Sequence, residues 1–386
     1  MLMDTYNRYP VTFVRGEGSR LIDEKGKSYL DFATGIGVSS VGHAHPDWLA
    51  AIYGQASQLC HVSNLYHTKP AAELAKKIAD ISGLVNVFFS NSGAEANEGM
   101  IKMARKYSLD NFGENRAAIV TLKNSFHGRT ITTLSATGQD VFHKNYFPFT
   151  DGFLNAPAAD ADALASMKDC AAQNAGKICA VLVEAVQGEG GVIPFDEKYL
   201  LDVADICKAN DWLLLFDEVQ TGIGRTGTWF SYQSVKGLLP DGVSFAKGIA
   251  GGLPLGGFIA GSRCAGTLRH GDHASTFGGN PVNCAAALAV LKIIEAELPT
   301  INERGEMLRR GLASINGFTD ARGKGLMVGA TIGESIGSAR EATEKLLENG
   351  LTALTAGGNS LRLMPPLTVT AAEINEGIEI IRKVFA

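Results

Sequence analysis

From Val85 onward the chain alternates short apolar runs with longer stretches of helical spacing, and this alternation restricts the fold more than any other feature. The runs are VNVFF at 85–89, AAIVTL at 117–122, ICAVLV at 178–183, WLLLF at 212–216, GVSFA at 242–246 and GGFIAG at 256–261. Continuously apolar runs of this length read as strands buried on both faces. Helical stripes over 94–108, 160–174 and 196–210 supply crossovers of the kind parallel strands need. The expectation is an α/β fold, a mostly parallel sheet with helices on both faces.

The flanks read differently. Residues 11–38 alternate in short strand-like pieces with a hairpin turn at 23–26, then helical spacing follows Pro46, and Pro70 opens a helix through Ile81. Pro281 opens a helix to about Glu297, followed by another helix, the strand-like GLMVGATIG, a helix over 339–349, SLRLMPPL and a last helix from Ala371. With 386 residues, more than one core is expected. Residues 51–280 would form the large domain, and 281–386 with the N-terminal segment 1–50 a smaller α+β domain.

Composition excludes several functions. A formal net charge of -5 offers no basic field for nucleic acid, and no apolar stretch reaches the roughly eighteen residues of a membrane span. The first residues lack the order of a signal peptide, and six cysteines are scattered without pairing density, so a reducing cytoplasm is expected. No histidine or cysteine spacing matches a metal site.

The stretch WLLLFDEVQTGIGRTG, Trp212 to Gly227, delivers an acid, Asp217, at the carboxyl end of an apolar run. Open α/β sheets place their chemistry at that edge. A carboxylate there needs a cation, and a protonated pyridine nitrogen would serve. Lys247, on a glycine-rich turn expected to be flexible, is the matching amine: in an apolar pocket its pKa falls, so it can condense with an aldehyde. Together they suggest pyridoxal phosphate. Either feature alone is commonplace, since many buried strands end in acids and most lysines are solvated. Gly222, Gly224 and Gly227 also spell a dinucleotide fingerprint, but the TGTWFSYQSV that follows has no helical stripe, which argues against it.

Three further stretches are suggestive. In FFSNSGAEAN, Ser92 and Glu95 stand at capping-box spacing and the helix start makes a phosphate cradle, although an ordinary capped helix would look the same. Past the next strand, Phe126 could lie flat on a ring and Arg129 could hold a carboxylate in two bonds. Glu184 ends a strand, Glu189 sits in a glycine loop, and Ser275 and Thr276 precede two glycines.

The set NSGAEAN, SFHGRT, VEAVQGEGG, LLLFDEVQTGIGRTG, AKGIAGGLPLGG, STFGGNP and RLMPPL, in that order over nearly the whole chain, resembles the class III aminotransferases of fold type I. That resemblance implies pyridoxal 5'-phosphate as cofactor, with Lys247 as the lysine bonded to its aldehyde and Asp217 on its ring nitrogen. It further implies Phe126 stacked on the ring, Gln220 near the ring hydroxyl, and Ser92, Gly93 and Ala94 at the phosphate. Glu218 and Val219 are counted with the cofactor-binding residues. Thr276 would reach the cofactor of a neighbouring subunit in a homodimer with a shared site. Arg129 and Ser275 would contact the donor, Arg362 a second carboxylate, and Glu189 would pair with Arg362 and release it for the oxoacid. SNLYHT and HASTFGGNP in a compact chain look most similar to members that move the terminal amine of N2-acetylornithine to 2-oxoglutarate. Ornithine, succinylornithine, 4-aminobutyrate and acyl-lysine remain alternative donors. One departure is Ala185, where relatives usually carry proline.

Overall fold

A computed structural model of the chain describes residues 1–157, 163–174 and 176–385. Its centre is a seven-stranded sheet in the spatial order Asn86–Ser90, Gly256–Ala260, Gly242–Phe245, Leu213–Asp217, Ile178–Val183, Ala118–Leu122 and Phe153–Ala156. All neighbours pair in parallel except Gly256–Ala260, which runs against both strands beside it. Ser90, Leu122, Val183, Asp217 and Phe245 therefore end at one edge, and the loops following them gather there. Residues 254–256, entering the reversed strand, arrive at the same edge because Gly256 pairs with Ser90.

Each apolar run forms its expected strand, every residue of Ile178–Val183 and Leu213–Asp217 being buried. The edge strand Phe153–Ala156 was not expected. Four residues, one of them an asparagine whose amide donates to Thr121 Oγ1 at 2.6 Å, are too few to show a pattern. The expected helices appear as Gly93–Phe112, Ala163–Gln173 and Glu197–Ala209; the expected positions 160–162 lie outside the described residues.

One expectation is corrected at Pro299. Instead of two helices, a single helix runs from Pro281 to Ala313 with the proline inside it. An interior proline costs about 3 kcal/mol. Here the buried stripe Ala287, Leu291, Ile294 resumes as Ile301, Leu308, Leu312 at whole-turn spacing, so one continuous face stays in the core and outweighs the lost bond. Thr300 Oγ1 and the Arg304 guanidinium donate to the Glu297 carbonyl just before the proline, at 3.0 and 3.3 Å.

The terminal parts share structure. Phe13–Glu17, Arg20–Asp23 and Ser28–Asp31 form an antiparallel sheet, and Leu351–Thr352 joins it in parallel beside Ser28–Asp31. A further antiparallel sheet orders Phe318–Lys324, Met327–Ile332, Ser360–Leu363 and Leu354–Ala356. The Gly222–Gly227 stretch opens no helix; a 3-10 turn at Ser231–Ser234 follows instead. Its buried Arg225 donates to the carbonyls of Leu326 and Pro365 at 2.8 and 2.6 Å, so the segment ties the large sheet to the C-terminal one.

Candidate active site

The loops at the sheet edge enclose a cavity of about 390 Å³ whose wall includes Asn97, Phe126, Arg129, Glu189, Asp217 and Lys247. Ser92, Gly93, Ala94, Val219 and Gln220 line it as well. With Glu184, eleven of the residues singled out in the sequence thus meet in one place, although they come from five separate loops.

Asp217 is 4% exposed. Its Oδ2 accepts from Asn97 Nδ2 at 2.7 Å and faces His127 Nδ1 at 2.8 Å, while Oδ1 accepts from the Val219 backbone at 3.0 Å and from Ser244 Oγ at 3.4 Å. No lysine or arginine pairs with it among the described residues. Asn97 also donates to the His127 carbonyl at 2.8 Å, and the His127 backbone donates to Thr137 Oγ1 at 3.0 Å, so the acid's partners are locked in turn.

Lys247 opens a short 3-10 turn whose following residues are buried, rather than the flexible turn expected. Its φ of +47° is unusual for a residue with a side chain and stores strain of order 1–3 kcal/mol. Desolvation in the cavity pulls its ammonium below the usual lysine range; Arg362 adds to the fall, while Glu189, Asp217 and Glu184 oppose it.

Arg362, on the strand Ser360–Leu363, is 2% exposed and does not itself line the cavity. Its Nη1 donates to Glu189 Oε1 at 2.7 Å and Gln220 Oε1 at 2.8 Å, and Nη2 to the Thr355 carbonyl at 3.2 Å. Burial would raise the Glu189 carboxyl, but Arg362, Lys247 and Gln220 outweigh it and hold the group below the ordinary glutamate range. Glu184 goes the other way. Burial lifts it to about 7 with help from Asp217, against His127 and the backbone N–H groups of Phe126 and Gly188, which it accepts at 2.9 and 3.2 Å.

On the opposite wall Phe126 stands edge-on to Phe142. The exposed Arg129 lays its guanidinium over the Phe142 ring, 3.9 Å from the centroid. Gly128 adopts φ +143°, and a Cβ there would strike Thr133 and Ala94, so glycine is required for Phe126 and Arg129 to face the cavity. At the floor, Ser92 caps the helix Gly93–Phe112 by accepting from the Glu95 backbone at 3.2 Å. The Gly93 and Ala94 N–H groups ahead of it have no intrahelical acceptor and are available to an anion.

Three called residues are placed otherwise. Glu218, counted with the cofactor-binding residues, turns its carboxylate into the core, where Thr221, Ser231 and the Tyr232 backbone donate to it. Successive strand residues point to opposite faces, which separates it from Asp217. Ser275 and Thr276 line a different, larger cavity of about 1180 Å³ with His61, Asn64 and Phe88. Ser275 Oγ touches the first site only through Asn91 Nδ2, at 3.3 Å. Sequence reasoning gave no role to His127, Asn97 or Asn91. An asparagine one turn inside a helix, poor in propensity and facing the core, was the available signal for Asn97.

The family model for class-III aminotransferases matches residues 2–385. The chain belongs to this family. Among relatives of this class-III chain, the acetylornithine aminotransferase of Haemophilus ducreyi is 48% identical, the match covering all of this chain and 96% of the relative. The acetylornithine aminotransferase of Caldanaerobacter subterraneus is 46% identical, covering all of this chain and 97% of the relative. Among solved structures, the ornithine aminotransferase of Toxoplasma gondii superposes with a TM-score of 0.93 at 29% identity, covering all of this chain and 92% of that one.

Class-III aminotransferases use pyridoxal phosphate, and the residues present fit it. The close approach of Gly93 to Val219, where a Cβ would lie 2.6 Å from a methyl group, leaves backbone N–H groups as the cavity floor. Asp217 is a buried anion without a lysine or arginine partner, and Asn97 Oδ1, His127 Nε2 and Arg362 Nε are buried without a partner. An aromatic face, a desolvated amine and an anion cradle complete the donor set such a ring, aldehyde and phosphate require.

Proposed function

We propose that this aminotransferase moves the terminal amine of N2-acetylornithine to 2-oxoglutarate, giving N-acetylglutamate 5-semialdehyde and glutamate. The charge inventory of the cavity carries the donor assignment. Arg129 has no carboxylate partner among the described residues, so it can take a donor carboxylate in two bonds. Every acid lining the cavity is already engaged: Asp217 by Asn97 and His127, Glu184 by two backbone N–H groups, Glu189 by Arg362. A free α-ammonium beside Arg129 would find no spare anion, and acylation removes that charge. The names of the relatives at 46–48% identity support the same donor.

Lys247 would hold the cofactor aldehyde, Asp217 the ring nitrogen, Phe126 and Val219 the two faces, and Ser92, Gly93 and Ala94 the phosphate. Bound there, pyridoxal phosphate supplies an electron-withdrawing ring that stabilises negative charge on the carbon losing its proton. Lys247 Nζ, released once the donor's amine takes its place at the aldehyde and favoured in its neutral form by desolvation, would take that proton from the donor's terminal carbon. Asp217 keeps the positive charge it faces in place, its own position fixed by Asn97 and His127. In the second half of a ping-pong cycle, the oxoacid's carboxylate competes with Glu189 for Arg362.

We further propose a homodimer in which a second copy covers the larger cavity, with Thr276 serving the neighbouring site. Exposed Leu65, Tyr66 and Phe277 beside Ser275 and Thr276 support that reading. We assign residues 51–280 to the cofactor-binding domain and the remainder to a smaller one, supported by the sheet shared between 13–31 and 351–352. Six free cysteines support a cytoplasmic location.

Competing donors test the assignment. We expect kcat/KM for N2-acetylornithine to exceed those for ornithine and 4-aminobutyrate by about tenfold or more, the worth of one desolvated charge contact. Equal or better use of ornithine would overturn the donor and leave the transaminase.

A further inference from the structure

Glu189 stands near the tip of a hairpin loop, residues 188–192, between the two-residue strands Val186–Gln187 and Ile193–Pro194. So short a ladder fixes a loop poorly. The loop is instead gripped from outside at two backbone carbonyls. Gly357 N donates to the Glu189 carbonyl at 2.9 Å. Arg322 donates to the Gly191 carbonyl twice, from Nε at 3.0 Å and from Nη2 at 2.6 Å.

Arg322 is itself immobilised. It lies on Phe318–Lys324, its side chain only 12% exposed. Nη1 donates to Asp320 Oδ2 and Thr331 Oγ1, both at 2.9 Å, and Nη2 to Ser360 Oγ at 2.7 Å. Ser360 and Arg362 are two apart on one strand and so share a face. One guanidinium therefore connects the loop that carries Glu189 to the strand that carries Arg362. The loop's own backbone does not favour this shape: Gly191 has φ +123° and Val192, with a branched side chain, φ +58°. Released from Arg322, it has reason to relax.

We propose that Arg322 is a positioning residue that sets the strength of the Glu189–Arg362 pair and thereby the balance between the acylated donor and the dicarboxylate acceptor. The proposal rests on the reading that Glu189 must leave Arg362 for the oxoacid to bind. With Arg322 in place the pair is tight, Arg362 is neutralised, and an uncharged donor chain is tolerated beside it. Without Arg322, Glu189 is held less well and Arg362 is open to a dicarboxylate at all times.

Binding of glutarate, a dicarboxylate with no group to transfer, measured by calorimetry on the cofactor-loaded protein, reads this directly. Single-turnover rates with N2-acetylornithine and with glutamate accompany it, for Arg322→Ala, Arg322→Lys, Glu189→Gln and the Arg322→Ala, Glu189→Gln double variant. In Arg322→Ala we expect glutarate to bind about tenfold tighter and the N2-acetylornithine rate to fall by about the same factor relative to glutamate, as one charged hydrogen-bonding arrangement is lost. Arg322→Lys, which keeps a donor for the Gly191 carbonyl, should lie between, and the double variant should add little to Glu189→Gln because the two act through one pair. If Glu189→Gln tightens glutarate while Arg322→Ala lowers both rates in proportion at unchanged glutarate affinity, Arg322 is merely structural and the proposal fails alone. Should Arg322→Ala not fold, an unchanged glutarate affinity in Arg322→Lys overturns it equally. If no variant changes glutarate binding, the Glu189–Arg362 reading fails and takes the proposal with it.

Discussion

Asp217 and Glu189 face one cavity and are held in opposite ways. Asp217 ends a central strand, and its donors come from a helix, a neighbouring loop, the adjacent strand and its own turn. Glu189 rides on a five-residue loop, its side chain 28% exposed, and one arginine holds most of its charge. Removing any single donor leaves Asp217 with others, whereas Glu189 without Arg362 keeps a long 3.4 Å contact from Gln220 Nε2. The first arrangement suits a charge that must stay through both halves of a cycle. The second suits a charge that must step aside, because an incoming carboxylate can replace the single Nη1–Oε1 bond that Glu189 makes to Arg362.

Asp217→Asn bears hardest on this contrast. The amide keeps the shape and can still accept from Asn97, but its charge is gone, and kcat at saturating substrates is expected to fall by about 10²–10³, the scale of a lost preorganised electrostatic contact. The fold should persist with a lowered thermal midpoint, because the amide nitrogen must face donors that the carboxylate oxygens accept. A loss in kcat smaller than that of Glu189→Gln would reverse the contrast and make the rim, not the sheet edge, the centre of the chemistry.

The contrast also separates what the sequence discloses from what it hides. Asp217 was legible because an apolar run breaking into an acid is a local pattern, and Lys247 because a lysine among glycines is conspicuous. The capped helix start at the cavity floor was legible in the capping-box spacing of Ser92 and Glu95. Arg362 and Glu189 were placed by resemblance to the family, since 173 positions separate them and no local period joins them. His127 and Asn97 were hidden for a related reason: each looks like an ordinary polar residue until the fold brings it to Asp217. The continuous helix through Pro299 shows the limit in the other direction, where a strong local stop signal is overruled by a face that the rest of the molecule buries.

Arg129→Ala moves the comparison to an exposed guanidinium of the cavity wall, which lies over Phe142 and is proposed to take the donor carboxylate. Loss of a two-bond carboxylate contact is expected to raise the KM for N2-acetylornithine by about 10–100-fold. Affinity for pyridoxal phosphate, followed by absorbance during titration of the stripped protein, should stay as in the parent. Unchanged donor kinetics would return Arg129 to a purely stacking role on Phe142 and leave the donor carboxylate without a partner.

Glu184 tests whether the inner region is as rigid as its hydrogen bonds suggest, and the expected effect is the smallest. Burial raises its folded pKa to about 7 from an ordinary value of 4.5, so the native state holds a proton that the unfolded chain has released across that interval. The stability this contributes is complete below 4.5 and is lost as pH rises to about 7, the opposite of an acid stabilised by a cation. Glu184→Gln cannot titrate. The difference in thermal midpoint between the two proteins should therefore drift in favour of the variant from pH 4.5 to 7 and be level above it. A difference that is flat throughout would mean that solvent reaches Glu184, and that its bonds to the Phe126 and Gly188 backbones open as readily as the Glu189–Arg362 pair.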